Sequence, residues 1–127
     1  NSYGEDTMNE KQLQGMMSAP PEKRYKSFLT TVADLEEVWL LASEDGYATF
    51  DADGYIHLLV WPRKEFAELF KGNNEEVISI DVHEFVEQCE TVEENIRFMV
   101  FPTNDNSYVV DSEKIISDIN LHLDEVE

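Results

Sequence analysis

Residues 38–61 read VWLLASEDGYATFDADGYIHLLVW, in which three short apolar runs alternate with two Asp-Gly pairs. The runs lie at 38–42, 47–50 and 55–60, and Asp45-Gly46 and Asp53-Gly54 separate them. Asp-Gly readily supplies the positive φ angles that tight hairpin turns need. The segment therefore predicts three adjacent antiparallel strands, a β-meander.

Helical periodicity flanks the meander on both sides. Pro21 is followed by Tyr25, Phe28, Leu29 and Val32 at the spacing of one helix face, which predicts a helix over about 21–34. Pro62, Asp81 and the Asp111-Ser112 pair are helix-start signals. They predict three further helices, over about 62–71, about 82–90 and from residue 112 onward.

Short strands are predicted at 77–80, 96–101 and 107–110, and the turn-forming residues 104–106 join the last two as a hairpin. Strands joined by tight turns pair antiparallel, whereas parallel pairing needs a crossover of a dozen or more residues. The predicted fold class is α+β: a mostly antiparallel sheet of about five strands (meander plus hairpin), with about four helices packed on it.

The length of 127 residues suits one hydrophobic core rather than two. Residues 1–19 are polar and end at the Pro20-Pro21 pair, so we predict a flexible tail over 1–19 and a single α+β domain over 20–127. Two interpretations of residues 1–7 stay open: native sequence, or residues added for expression, with Met8 as the natural start.

The chain is strongly acidic, with a formal net charge of −19. Residues 65–127 hold 17 of the 28 acidic side chains and 3 of the 9 basic ones. Such a field repels phosphate backbones, so we expect no direct nucleic-acid binding. It favours a basic protein partner; the alternative is that the charge serves solubility alone.

Membrane insertion and secretion are not expected. The longest apolar run, residues 56–61, is short and interrupted by His57, far below the roughly 18 residues of a membrane-spanning helix. The N-terminal residues lack the features of a secretory signal. The single cysteine, Cys89, suits a reducing compartment, so the predicted location is the cytoplasm.

The sequence presents no catalytic constellation. Cys89 and His83 share a predicted helix, but their spacing places them on different faces. The pairs His83–Glu87 and Asp118–His122 each offer two metal ligands, too few for a site, and are typical of exposed charge pairs. Residues 51–56 resemble part of a calcium loop without its outer acidic ligands, so a hairpin turn is favoured. We expect no metal and no cofactor, and we favour a non-enzymatic protein over an enzyme.

Aromatic residues are concentrated on or beside the predicted strands. The helices can bury only some of them, because a sheet has two faces. An exposed aromatic side chain beside an arginine is typical of a protein-binding hot spot. We therefore select Trp61, Arg63 and Arg97 as candidate binding residues; the alternative for each aromatic residue is a place in the core.

Residues 61–67 read WPRKEFA, and this Trp-Pro step followed by Glu-Phe-Ala resembles the bacterial family catalogued as domain of unknown function 2750. Residues 25–33, Val38-Trp39, residues 45–48 and residues 101–103 agree with the family in order, and the resemblance spans 25–123. It implies a bacterial origin and a compact domain, but no activity. Within the motif the implied role is structural, for Trp61, Pro62, Glu65, Phe66 and Ala67.

Together these observations predict a bacterial protein that is a non-enzymatic protein-binding module of an inhibitor, immunity or regulatory type. The expected partner is a basic protein or a second copy of the chain. The alternative is a small-anion or enzymatic site where Trp61, Arg63 and Arg97 converge, since a buried Arg97 would require an anionic partner.

Overall fold

A computed structural model describes residues 9–126. In that range the chain forms five helices and seven strands. The helices are α1 (Glu10–Met17), α2 (Pro21–Leu35), α3 (Lys64–Glu68), α4 (Val82–Cys89) and α5 (Ser112–Val126). The strands are β1 (Glu37–Ser43), β2 (Gly46–Tyr47), β3 (Thr49–Ala52), β4 (Tyr55–Val60), β5 (Glu76–Asp81), β6 (Ile96–Val100) and β7 (Tyr108–Val110).

The strands form two sheets with the orders β2-β1-β5 and β3-β4-β6-β7. A bridge between Trp39 and Trp61 joins the two sheets where β1 meets the end of β4. Both backbone hydrogen bonds of this bridge are 2.9 Å long. The predicted α+β class is confirmed.

The predicted meander is also confirmed, with its middle strand divided at Ala48. The Ala48 N–H donates to the carbonyl of Leu41 over 2.8 Å, and the Ala48 carbonyl accepts from Leu59 over 3.5 Å. Ala48 thus separates β2, which pairs with β1, from β3, which pairs with β4. In the second turn Asp53 and Gly54 both have positive φ, as a type I′ hairpin requires.

One pairing differs from the predicted antiparallel arrangement. Strand β4 pairs with β6 in parallel, while β6 and β7 form the predicted antiparallel hairpin. The chain between β4 and β6 contains α3, β5 and α4. This crossover is long enough to return the chain in the same direction, which tight turns cannot do.

The predicted helices are present, although α3 is shorter than expected. It spans Lys64–Glu68, and the residues after it make i→i+3 hydrogen bonds, from Leu69 to Phe66 and from Phe70 to Ala67. These tighter turns end the α-helical ladder before residue 71.

Helix α1 lies in the part of the chain for which the sequence predicts a flexible tail. Asn9 and Gln12 form a reciprocal capping box at its start. Leu13, Met16 and Met17 pack against the core, which gives this short helix its tertiary support. The first eight residues lie outside the described range, and the division of the chain into tail and domain stays a prediction.

The main part of the core lies between α2, α4 and α5 and one side of the sheets, and α3 packs on β1 and β5. Its largest fully buried apolar side chains include members of α2, α4, β6 and α5: Phe28, Val32, Phe85, Phe98, Ile115 and Ile119. Between residues 9 and 126, none of the helices has the length and apolar character needed to cross a bilayer.

Candidate functional site

The strand register assigns the side chains of the four-stranded sheet to two faces. Leu58 lies opposite Phe98 on one face, and Leu59 lies opposite Met99 on the other. Alternation along each strand extends both sets. The sheet therefore presents two apolar faces, and their burial differs.

Helices cover the face that carries Phe98. The Phe98 ring contacts Phe85 of α4 edge-on at 5.8 Å, and Phe98 is only 1% exposed. Tyr108 of β7 stacks on Tyr25 of α2 at 4.5 Å. Helix α5 packs against both α2 and β6. This face forms one wall of the core.

The opposite face carries the side chains of eight residues: Ala52 and the buried His57, and six that we call the open face, Phe50, Tyr55, Leu59, Arg97, Met99 and Val109. Phe50 is 54% exposed, Val109 46% and Tyr55 36%, and the other three are partly exposed. Helix α3 covers the neighbouring part of this side, next to β1 and β5. Contiguous exposed apolar side chains of this kind mark interaction surfaces.

A groove of about 500 Å³ crosses the open face. Phe50, Leu59 and Met99 line it from the sheet, and Phe70 lines it from the turn after α3. The segment 102–107 forms the remaining wall. The groove is mostly apolar, so it suits an apolar side chain of a binding partner.

At the other end of the open face, Arg97 and Tyr55 form a cation–π pair. The guanidinium carbon of Arg97 lies 4.0 Å from the centre of the Tyr55 ring. Both residues line a cleft of about 640 Å³. Four carboxylate side chains share the lining of that cleft: Glu93, Glu94, Asp111 and Glu113. The open face therefore has an acidic border.

The three candidate residues from the sequence lie in different environments. Trp61 is fully buried. Arg63 lines a separate hollow beside Trp39, and Arg97 lines the acidic cleft. Because Arg97 pairs with His57, it is four strand positions from Trp61, or about 13 Å. The structure thus does not bring the three side chains together.

Trp61 and the residues after it hold α3 on the sheet. The indole N–H of Trp61 donates to the carbonyl of Pro102 over 3.3 Å, and its ring lies 5.6 Å from that of Phe70. Phe66 and Ala67 are buried, and the Phe66 ring packs on Phe101 at 4.4 Å. Glu65 lies 3.5 Å from the Nε of Arg63. These contacts describe a structural junction.

Arg24 is a buried charge that the sequence analysis did not select. Its guanidinium donates to the carbonyls of Ala19, Phe101 and Asn106 and to the Asn106 side chain. Burial lowers the pKa of Arg24, and nearby Asp105 acts in the opposite direction. Arg24 thereby fixes one wall of the apolar groove. The available signal was its position four residues before Phe28, on the buried stripe of α2.

A second polar connection joins α2 to α5. The Tyr25 hydroxyl donates to Asp118 over 2.6 Å, and the Lys114 ammonium donates to the same carboxylate over 3.0 Å. Burial and the hydrogen bond to Asp118 raise the pKa of Tyr25. Burial acts to raise the pKa of Asp118, but the hydrogen bonds from Tyr25 and Lys114 lower it overall.

The remaining candidates for chemistry lie apart from one another. Cys89 is buried, and burial followed by the charge of Glu90 raises the pKa of its thiol to about 12, so it is a poor nucleophile. In the part of the chain that the structure describes, no three His, Cys, Asp or Glu side chains are close enough to hold a metal ion.

The family described as "Protein of unknown function (DUF2750)" matches residues 25–119, which is most of the chain. No curated protein matches the sequence.

Proposed function

Because the chain belongs to the DUF2750 family, whose description carries no activity, we propose a function from its geometry: a non-enzymatic protein-binding module. Its open face docks on a partner protein that presents an apolar patch bordered by lysine and arginine. A module of this kind acts by occupying its partner, as an inhibitor, an immunity-type protein or a regulator does. The observation that carries the proposal is the exposed apolar face that the helices leave uncovered.

The composition of the open face supports a protein partner. Interface hot spots are rich in aromatic residues and arginine that lie near apolar pockets. The open face offers Phe50 and Tyr55, with Arg97 already held against the Tyr55 ring. The apolar groove beside Phe50 supplies a cavity for an anchoring side chain.

Charge supports the basic character of the partner. The cleft at the Tyr55 end is lined by four acidic side chains, and the whole chain carries a net charge of −19. An apolar centre with a charged rim accelerates association with an oppositely charged surface and disfavours like-charged ones. A second copy of this chain carries the same negative charge, so self-association through this face is less favourable.

The alternative of a small-anion or enzymatic site has less support. Arg97 stacks on Tyr55 in a cleft with four carboxylates, which repel an anion. The hollow at Arg63 and Lys64 also contains Glu37 and Glu65, so its charges balance. Trp61 is fully buried, so its ring is not available to a ligand held by either arginine.

The test compares two matched surface variants. Phe50→Ser removes the most exposed aromatic side chain of the open face, and Leu121→Ser removes a side chain of α5 that is 59% exposed. Each protein is immobilised and exposed to a lysate of the cells that naturally produce it, at low and then at high salt. We expect a basic protein to bind both the unchanged chain and L121S. In the purified complex, F50S should raise the dissociation constant at least tenfold, which corresponds to about 1.4 kcal/mol.

Two results would contradict the proposal. Equal affinity of F50S and L121S would remove the open face from the interface. A complex insensitive to salt would exclude a basic partner, because screening at physiological ionic strength acts over about 8 Å. Sedimentation tests whether a second copy of the chain is the partner. A dimer of the unchanged chain that is a monomer in F50S would show that a second copy covers the open face.

A further inference from the structure

Strand β5 is an edge strand of the three-stranded sheet. It pairs with β1 along all six of its residues, and none of the described strands pairs with its other side. The other edge strands are shorter: β2 has two residues, β3 four and β7 three. Natural proteins often protect such edges with lysine, proline or a bulge. The β5 sequence, EVISID, contains neither lysine nor proline.

The register identifies the backbone groups of β5 that point away from β1. Trp39 uses both its N–H and its C=O to bond Trp61 on the far side of β1. The Trp39–Ser79 pair is therefore a pair without mutual hydrogen bonds, and pairs alternate along an antiparallel ladder. It follows that Ile78 and Ile80 bond to β1, while Val77 and Ser79 direct their N–H and C=O groups outward.

Neither residue that carries these outward groups is buried. Ser79 is exposed and Val77 is partly exposed. Within residues 9–126, no hydrogen bond outside the strand ladder involves the N–H or C=O of either residue. Four polar backbone groups thus form a template for one more strand.

A hollow of about 360 Å³ lies beside this edge. Leu35 and Trp39 give it an apolar part, and Ser79 and Arg63 border it. The Nε of Arg63 is buried without a hydrogen bond, although Glu65 lies 3.5 Å away. A strand added at β5 would place a side chain opposite Ser79 on the face that carries this hollow.

We propose that β5 accepts an extended segment of a partner protein as an additional strand. The segment has lysine or arginine at both ends and apolar, β-branched residues between them. The acidic residues at both ends of β5 indicate which charges the ends of the partner segment carry. Glu75 precedes the strand, Glu76 begins it and Asp81 ends it, and no basic residue lies on it. Strand addition of this type obtains affinity from backbone bonds and specificity from side-chain pockets.

A second copy of the chain is a poorer occupant. If two β5 strands paired antiparallel about Ser79, Glu76 of each copy would lie opposite Val82 of the other, next to Asp81. Each junction would then bring like charges together, and the two chains would each contribute a net charge of −19. This inference does not depend on the open face, which belongs to the other sheet.

The probe is the synthetic peptide KKVTVTVKK. In the free protein we expect the Val77 and Ser79 amides to exchange hydrogen faster than those of Ile78 and Ile80, which β1 protects. Saturating peptide should slow exchange at Val77 and Ser79 specifically. Equal protection of all four amides in the free protein would overturn the proposal, as would failure of the peptide to bind at low salt.

Three comparisons separate strand addition from charge attraction. Two versions of the peptide are N-methylated at alternate residues, one at the odd positions and one at the even positions. Only the version whose methyl groups lie on the edge that faces β5 should lose binding, because the methyl groups of the other version point away from β5. Ser79→Pro removes an outward N–H at an edge position where proline is tolerated, and should weaken binding about three- to tenfold, while Glu76→Gln should weaken it only at low salt.

The opposite results are equally clear. Equal affinity of the methylated and unmethylated peptides for the unchanged protein would overturn strand addition, even if S79P failed to fold. Loss of peptide binding in the Phe50→Ser variant would place the peptide on the open face instead. If F50S still binds the peptide but no longer binds the cellular partner, the open face and the β5 edge act separately.

Discussion

The two faces of the four-stranded sheet carry similar side chains and differ in burial. Phe98 on the covered face is 1% exposed, whereas Phe50 on the open face is 54% exposed. Both are phenylalanines on strands of the same sheet. Their different burial follows from the position of the helices rather than from residue type. The covered face contributes stability, and the open face leaves apolar area available for a partner.

Truncating one phenylalanine on each face of the sheet should give the widest difference in stability. Phe98→Ala removes a ring packed against Phe85, and we expect it to lower the free energy of unfolding by about 3–5 kcal/mol. Phe50→Ala removes a ring that is mostly in water already, and we expect a change of about 0.5 kcal/mol or less. Urea denaturation of both variants measures the difference. Similar losses in the two variants would mean that the open face is covered in solution.

A smaller effect is expected where α2 meets the wall of the apolar groove. Arg24→Met retains the apolar part of the side chain but leaves the carbonyls of Ala19, Phe101 and Asn106 without this donor. We expect a loss of about 2–4 kcal/mol, because orphaned carbonyls cost free energy unless water replaces the donor. Lys26→Met, at an exposed position of the same helix, is the control and should change stability by about 0.5 kcal/mol at most. Equal urea midpoints for R24M and the unchanged protein would show that the guanidinium contacts contribute nothing to stability.

The smallest expected effect concerns the α2–α5 connection and depends on pH. Tyr25→Phe removes the hydrogen bond to Asp118, and we expect a loss of about 1–2 kcal/mol at pH 7. The pKa of Asp118 is lower in the folded state than its ordinary value of 3.8, so its contribution is present above that value. The contribution disappears as the pH falls through the lower, folded-state pKa.

The difference in stability between the unchanged protein and Y25F should therefore become smaller below about pH 4. Thermal melts from pH 3 to pH 7 measure it. Tyr108→Phe is the control, since it preserves the stack on Tyr25 and removes a hydroxyl without a hydrogen-bond partner among the described residues. A pH-independent difference for Y25F would contradict the role of the Asp118 charge.

Local sequence patterns were sufficient for most elements. The Asp-Gly turns, the apolar stripes of α2 and α5, and the Asp81 cap each involve residues within a few positions of one another, so their physics is readable from spacing. The expectation of an exposed aromatic residue beside an arginine describes Tyr55 and Arg97, although the sequence analysis selected Trp61. Alternation could not decide between these residues, because it gives the face of a side chain but not what covers that face.

Four features follow from the amino-acid sequence alone, because they depend on local periodicity, turn chemistry and composition: the α+β class, the meander, the C-terminal hairpin and the acidic character of the chain. The folded structure was needed to establish that β4 pairs with β6 in parallel, that Arg24 is buried against three carbonyls, and that one face and one edge stay uncovered. Each of these depends on contacts between residues far apart in the chain, where many pairings satisfy the same local pattern and packing selects one.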